Sequence, residues 1–126
     1  MKRILLIEDN ENNRYLARFL LERAGFEVQT AENGVQGLAA ARGGRFDLVV
    51  LDIQMPEMYG YETAAALRRD PASAGIPIVG VSSFAMAGDR QKALRLGFAG
   101  YIEKPIDPVS FAEEIRRFLG AGGEGA

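Results

Sequence analysis

Short apolar runs alternate along this chain with longer segments whose apolar residues recur at helical spacing. Residues 4–7 are all apolar, and the predicted strand at residues 46–51 ends in four consecutive apolar residues. Apolar runs without polar alternation are typical of strands buried on both faces of a parallel sheet. Residues 26–30 alternate apolar and polar side chains, which indicates an edge strand with one solvated face. Two further strands are predicted at residues 76–81 and 99–102.

Each predicted strand is followed by a predicted helix. The first helix covers residues 11–24, with Asn10 as its N-cap and an apolar face that includes Tyr15, Phe19 and Leu20. Asp107 as N-cap and Pro108 as first helical residue predict the start of the last helix. The other helices are predicted at residues 35–42, 61–69 and 89–96.

Five consecutive β-α units with short connections predict one doubly wound α/β domain. Right-handed crossovers then give a five-stranded parallel sheet with helices on both faces. We assign residues 1–119 to this domain. Residues 120–126 are rich in glycine and poor in apolar side chains, so they are predicted to form a flexible tail.

Composition narrows the chemistry that the domain can perform. The net charge of −2 gives no electrostatic footprint for nucleic acid, so direct nucleic-acid binding is not expected. The chain has no cysteine and no histidine, which excludes thiol catalysis and leaves oxygen ligands for any metal. The apolar run at residues 4–7 is too short for a signal peptide or a membrane span, and a cytoplasmic location is expected.

Reactive side chains follow several strands at the point where each strand ends. Glu8 and Asp9 follow the first strand, Asp52 the third, Ser82 the fourth and Lys104 the fifth. Because the carboxyl ends of parallel strands share one edge of a sheet, these groups are expected to converge there. Carboxylates held that close repel each other, and Mg²⁺ is the cation that oxygen ligands favour.

These groups are the parts needed to transfer a phosphoryl group onto an aspartate. In this hypothesis the Asp52 carboxylate attacks phosphorus, and an aspartyl phosphate forms. Mg²⁺ and Lys104 would offset charge on the phosphoryl oxygens, while the Ser82 hydroxyl donates to one of them. Pro105 is expected to form a turn that aims Lys104 inward, with the isomer of the Lys104-Pro105 bond left open.

At this point the chain resembles the response-regulator receiver domains of two-component signalling, over about residues 2–119. The similarity rests on four segments in the order and spacing of that family. These are Ile7-Glu8-Asp9-Asn10, Leu51-Asp52-Ile53-Gln54-Met55-Pro56, Gly80-Val81-Ser82 and Tyr101-Ile102-Glu103-Lys104-Pro105. The resemblance implies the flavodoxin-like strand order 2-1-3-4-5.

The resemblance also implies roles for particular residues. Asp52 would be the phosphoacceptor, Asp9 a direct Mg²⁺ ligand and Glu8 a ligand through water, with the Gln54 backbone carbonyl completing the protein ligands. Ser82 would be the switch hydroxyl. Phosphorylation would draw Ser82 toward the phosphate and let the aromatic ring of Tyr101 swing inward.

Partners are implied as well. The phosphoryl donor would be a histidine kinase or phosphotransfer protein, and the downstream protein would bind the face formed by the fourth helix, fifth strand and fifth helix. The protein would be a monomer or a weak, phosphorylation-dependent dimer. Residues 82–86, Ser-Ser-Phe-Ala-Met, with Gly88 and Asp89 resemble DivK-like single-domain regulators in particular.

Three other functions share parts of this pattern. A haloacid-dehalogenase-like phosphatase also uses Asp, Ser, Lys and acidic residues, but it requires an acid at the position of Gln54. A flavodoxin-like FMN carrier would need a phosphate-binding loop after the first strand, and none follows residues 4–7. A receiver domain that acts as an unphosphorylated interaction module remains open.

Overall fold

The computed structural model describes residues 1–53, 60–82 and 87–124. Across these residues, five strands and five helices alternate strictly along the chain. The strands are β1 Arg3–Ile7, β2 Glu27–Ala31, β3 Leu48–Asp52, β4 Ile78–Ser82 and β5 Gly100–Glu103. The helices are α1 Glu11–Arg23, α2 Gly34–Gly43, α3 Gly60–Arg69, α4 Ala87–Arg95 and α5 Phe111–Glu124.

The strands form one sheet in the order β2-β1-β3-β4-β5, and every neighbouring pair is parallel. This order and the doubly wound α/β class confirm the prediction. All five residues of β3 and of β4 are buried, as expected of continuous apolar runs. The outer strand β2 alternates exposed and partly buried side chains before it ends at the buried Ala31.

Apolar side chains on the two faces of the sheet belong to separate cores. Along β3, Leu48 and Val50 join the core beneath α1 and α5, whereas Val49 and Leu51 join the core beneath α2 and α3. Successive side chains of a strand point to opposite faces, so one apolar run serves both cores. The functional consequence is that Asp52 lies in phase with Val50, on the α1 and α5 side.

The apolar face predicted for α1 is partly wrong. Its buried residues are Ala17 and Leu21, whereas Tyr15 is 71% exposed and Phe19 is 46% exposed. The two exposed rings stack on each other, with centroids 6.4 Å apart. Apolar residues cover more of this helix than the sheet can contact, so packing selects one stripe and leaves the two aromatic residues outside it.

The predicted start of the last helix is also wrong. Asp107 caps a turn: its side-chain oxygen accepts from the Val109 N–H at 2.9 Å, and its carbonyl accepts from the Phe111 N–H at 2.9 Å. The α-helix proper begins only at Phe111. It runs through Glu124 and so includes part of the segment that the sequence assigns to a tail.

A glycine allows α5 to approach β5 closely. A Cβ atom at Gly100 would collide with the ring of Phe118, so the ring lies against the bare backbone of the strand. Phe118 itself packs against the core that α5 shares with α1. The first residue of β5, at the end of the strand away from the site, is therefore held directly against α5.

Candidate functional site

The sheet brings the predicted reactive residues to one edge. Asp52 is the last residue of β3 and Ser82 the last of β4, while Glu8 and Lys104 immediately follow β1 and β5. The Lys104 N–H donates to the Ser82 carbonyl at 2.8 Å. Glu8 is tied to the sheet in the same way, because its N–H donates to the Ala31 carbonyl at 3.0 Å. Backbone hydrogen bonds between neighbouring strands therefore fix the main chain that carries Glu8 and Lys104.

Three carboxylates meet at this edge of the described structure. Glu8, Asp9 and Asp52 each offer an oxygen, and these oxygens lie within 4.8 Å of one another. Glu8 and Asp52 are only 5% and 3% exposed, whereas Asp9 is exposed. A compact set of carboxylate oxygens, open on the side of Asp9, fits a hard divalent cation that keeps some of its waters.

Lys104 connects two of these carboxylates. Its Nζ lies 3.0 Å from Glu8 Oε1 and 3.3 Å from Asp52 Oδ1, and its side chain is 15% exposed. The following Lys104-Pro105 peptide bond is cis, which answers the question that the sequence left open. The prediction that the lysine points inward is thus matched by its contacts.

The ionisation of the site reflects this crowding. Burial, and then the hydrogen bond and negative charge of Asp52, raise the pKa of Glu8 from 4.5 to about 7, although Lys104 opposes the rise. Burial and Asp52 likewise raise the pKa of Asp9. Burial alone would lower the pKa of Lys104, but the charges and hydrogen bonds of Glu8 and Asp52 outweigh it and raise that pKa. The cluster thus carries more negative charge than it can neutralise internally.

The loop after β1 is held by a residue that the sequence did not single out. Arg14 Nη1 donates to the Glu8 carbonyl at 2.9 Å and lies 3.4 Å from the Asp9 carbonyl. At the same loop, the Asn10 N–H donates to Glu8 Oε2 at 3.1 Å. Arg14 therefore positions the acidic pair through its backbone, an interaction that leaves no side-chain pattern in the sequence.

The other predicted site residues are Ser82, Tyr101 and Gln54. Ser82 is 2% exposed and belongs to the same edge. Tyr101 is on β5, paired in register with Gly80, and is already buried with 5% of its surface exposed. The Tyr101 side chain is therefore buried in this structure. Gln54 and residues 83–86 lie outside the described residues.

Across the described residues, no helix combines the length and apolar character needed to cross a bilayer.

Comparison with known proteins agrees with this geometry. The sequence profile described as the response regulator receiver domain matches residues 4–116. The polar-differentiation response regulator DivK of Brucella anthropi is 40% identical over 119 residues, which cover 94% of this chain and 97% of that protein. The DivK of Brucella ovis is 39% identical over 119 residues, which again cover 94% of this chain and 97% of that protein.

Solved structures show the same fold. The chemotaxis protein CheY4 of Vibrio cholerae has a TM-score of 0.88 at 30% identity, covering 94% of this chain and 98% of that one. The receiver domain of the sensor histidine kinase PA1611 of Pseudomonas aeruginosa, solved with magnesium coordinated in its active-site cleft, has a TM-score of 0.84 at 28% identity, covering 94% and 98%. With its strand order, its acidic cluster and its sequence all in agreement, the chain belongs to the response regulator receiver domain family.

Proposed function

We propose that Asp52 accepts a phosphoryl group from a histidine kinase or a phosphotransfer protein, with Mg²⁺ bound at the acidic edge of the sheet. Receiver domains are signalling phosphoacceptors, and they are not enzymes of the usual kind. The observation that carries the proposal is the buried Asp52 carboxylate, 3.3 Å from Lys104 and within 4.8 Å of the oxygens of Glu8 and Asp9.

In the transfer step, a carboxylate oxygen of Asp52 attacks the phosphorus of a phosphohistidine. The new O–P bond forms as the P–N bond breaks, and the imidazole leaves with the electron pair of that bond. The Lys104 ammonium stays paired with Asp52 and faces the phosphoryl oxygens, where negative charge must be offset. The Ser82 hydroxyl, at the end of the adjacent strand, would donate to one of those oxygens.

The metal would be held by Glu8, Asp9 and Asp52, with the carbonyl of Gln54 as the proposed fourth protein ligand. Bound there, Mg²⁺ would offset charge on the phosphoryl group. Arg14 would keep the carbonyls of Glu8 and Asp9 in place while the carboxylates bind. Of the three carboxylates, the exposed Asp9 is the natural direct ligand.

The output would be a change in protein-protein contacts. Tyr101 of β5 is buried beside Gly80 of β4, and Gly100 of β5 packs against α5. Phosphorylation at Asp52 would stabilise this packed arrangement through Ser82 and so favour one shape of the surface formed by α4, β5 and α5. We propose that a downstream protein binds this surface, with the receiver a monomer or a weak, phosphorylation-dependent dimer.

The test is incubation with acetyl phosphate or phosphoramidate and Mg²⁺, followed by intact-mass measurement. We expect one phosphoryl adduct on the wild-type protein and none on Asp52→Asn. Asp47→Asn is the matched control, because Asp47 is an exposed aspartate of the same segment at the opposite edge of the sheet. An adduct on Asp52→Asn would overturn the assignment.

Failure of both donors to give an adduct on the wild-type protein would favour an unphosphorylated interaction module. Turnover of a phosphomonoester would instead favour a phosphatase.

A further inference from the structure

The outer face of α1 carries two exposed aromatic rings in contact with each other. Tyr15 is 71% exposed and Phe19 is 46% exposed, and no other aromatic side chain of the described residues is exposed. The two rings stack with their centroids 6.4 Å apart and their planes 9° from parallel. Single apolar side chains are common on protein surfaces, but contiguous exposed apolar surface is typical of an interaction site.

Oppositely charged side chains lie at the two ends of this aromatic pair. Glu11 is exposed in the first turn of α1, and Arg23 is exposed in the last turn. Neither of them forms an ion pair with another described residue, whereas Arg18 and Glu22 pair with each other at 3.3 Å. The face therefore presents a negative charge at one end and a positive charge at the other.

The order of these side chains makes the face complementary to a second copy of itself in the reverse direction. Tyr15 and Phe19 lie at equal distances from position 17, and so do Glu11 and Arg23. A two-fold axis at the level of position 17 would therefore set Tyr15 against Phe19 of the second copy. The same axis would set Glu11 against Arg23 of the second copy. A parallel pairing would instead bring like charges together.

The remaining positions of the face are compatible with the same axis. It places Glu22 opposite Asn12 and Arg18 opposite Leu16, so no like charges meet. Four rings that can each bury about 150–250 Å² fall short of the roughly 1,600 Å² of a standard interface. The expected dimer is correspondingly weak, with a dissociation constant on the order of 100 µM.

We infer that two copies of this chain associate through α1, in an antiparallel two-fold contact centred on Tyr15 and Phe19. The contact needs no phosphoryl group and uses neither α4 nor β5, so it goes beyond the proposed function. At low micromolar concentration the protein stays monomeric, because the contact is small.

Sedimentation equilibrium on the full chain, with a chelator and without a phosphoryl donor, tests the association. We expect a concentration-dependent dimer for the wild-type protein. Tyr15→Ser and Phe19→Ser should each weaken it by about tenfold or more, since each removes two of the four rings. Val35→Ser is the matched control, because Val35 is a 62% exposed apolar residue on α2 and its loss should leave the association unchanged.

Charge reversal tests the antiparallel geometry. Glu11→Arg and Arg23→Glu should each prevent self-association, because like charges then meet at both ends of the contact. A mixture of the two variants restores opposite charges at both ends and should associate about tenfold more tightly than either variant alone. The control mixture is Glu62→Arg with Arg69→Glu, which makes the same exchanges at exposed positions of α3 and should show no such gain.

Three outcomes would overturn the inference. They are a wild-type chain that stays monomeric at about 1 mM, an equal loss in Val35→Ser, and an equal gain in the two mixtures. If Phe19→Ser does not fold, the charge variants decide the question, since they alter only exposed positions. Because no phosphoryl donor is present, these results are independent of whether Asp52 accepts a phosphoryl group.

Discussion

At the amino edge of the sheet, the Arg3 side chain donates to Glu27 at 2.8 Å and to the Arg45 carbonyl at 2.9 Å, and it lies over the ring of Phe46. The Arg3 backbone N–H completes this edge by donating to Asp47 at 2.8 Å. At the carboxyl edge, Lys104 is shared between two buried carboxylates, and a third carboxylate lies beside them.

The charged groups at the amino edge stabilise the fold, whereas those at the carboxyl edge form a site that can bind a cation. Arg3 and Glu27 pair one to one in partial contact with solvent, where water screens the interaction and little energy depends on it. Glu8 and Asp52 are almost fully buried, so their repulsion is poorly screened and only partly offset by Lys104. The carboxyl edge thus gives up stability in the free protein and recovers it when positive charge binds.

Removing Lys104 should have the largest effect, because it leaves the two buried carboxylates without their cation. We expect Lys104→Met to slow phosphorylation by acetyl phosphate by about 100-fold or more. In metal-free buffer at pH 8, the free energy of unfolding should fall by about 3 kcal/mol, the usual result of breaking a buried pair. Intact-mass time courses and urea denaturation measure the two effects.

Arg3→Met is the corresponding change at the amino edge and serves as the control. An equal loss of stability in both variants would contradict the contrast between the edges.

The second prediction uses pH to change the charge of Glu8. Its pKa in the folded protein is raised from 4.5 to about 7, so the folded state holds this proton in a range where the unfolded state has lost it. The contribution of Glu8 to stability is therefore present below about pH 4.5 and is lost as the pH rises to about 7. At about 1.4 kcal/mol for each pKa unit, the rise from 4.5 to about 7 corresponds to a loss of roughly 3 kcal/mol in metal-free buffer.

Urea denaturation between pH 4.5 and 8 with a chelator present measures this loss. Glu8→Gln should flatten the dependence, whereas Glu27→Gln, at the amino edge, should keep it. A slope that is unchanged in Glu8→Gln would show that another group is responsible.

The third prediction concerns Arg14, which holds the loop of the acidic pair by its backbone. Arg14→Met should weaken Mg²⁺ binding by about tenfold, the lower end of the range for residues that support metal ligands. Isothermal titration with Mg²⁺ measures the change. Arg18→Met is the matched control, since Arg18 is on the same helix but pairs with Glu22 at the surface. Comparable weakening in both variants would indicate a general effect of helix charge.

The smallest effect is expected at the amino edge itself. Arg3→Met should lower the free energy of unfolding by about 1 kcal/mol or less, because its ion pair with Glu27 is partly exposed. Mg²⁺ affinity and the rate of phosphorylation should not change. Urea denaturation at low and high salt provides the measurement, and the loss should shrink as salt increases. A loss as large as that of Lys104→Met would remove the distinction between the two edges.

The strands and their ends could be predicted because burial on both faces leaves a plain mark in the sequence. A continuous apolar run that stops at Asp52 specifies both a strand and the side chain at its tip. The convergence of Glu8, Asp9, Asp52 and Lys104 then follows from parallel pairing alone. The strand order rested on the family resemblance, because local pattern does not determine which strands are neighbours.

The errors arose where the choice depended on tertiary packing. The sequence offered Tyr15 and Phe19 as core residues, but the sheet contacts the stripe that contains Ala17 and Leu21. Arg14 was missed for a related reason. Its partners are backbone carbonyls of the preceding loop, which exist as a target only after that loop has folded.

The contact between Gly100 and Phe118 has an evolutionary consequence. The phenyl ring of Phe118 occupies the volume that any side chain at position 100 would require, so the sizes of the two residues depend on each other. A larger residue at position 100 is acceptable only together with a smaller one at position 118. Among descendants of this chain, the two sites should therefore change in pairs, and glycine at position 100 should persist wherever an aromatic ring is retained at position 118.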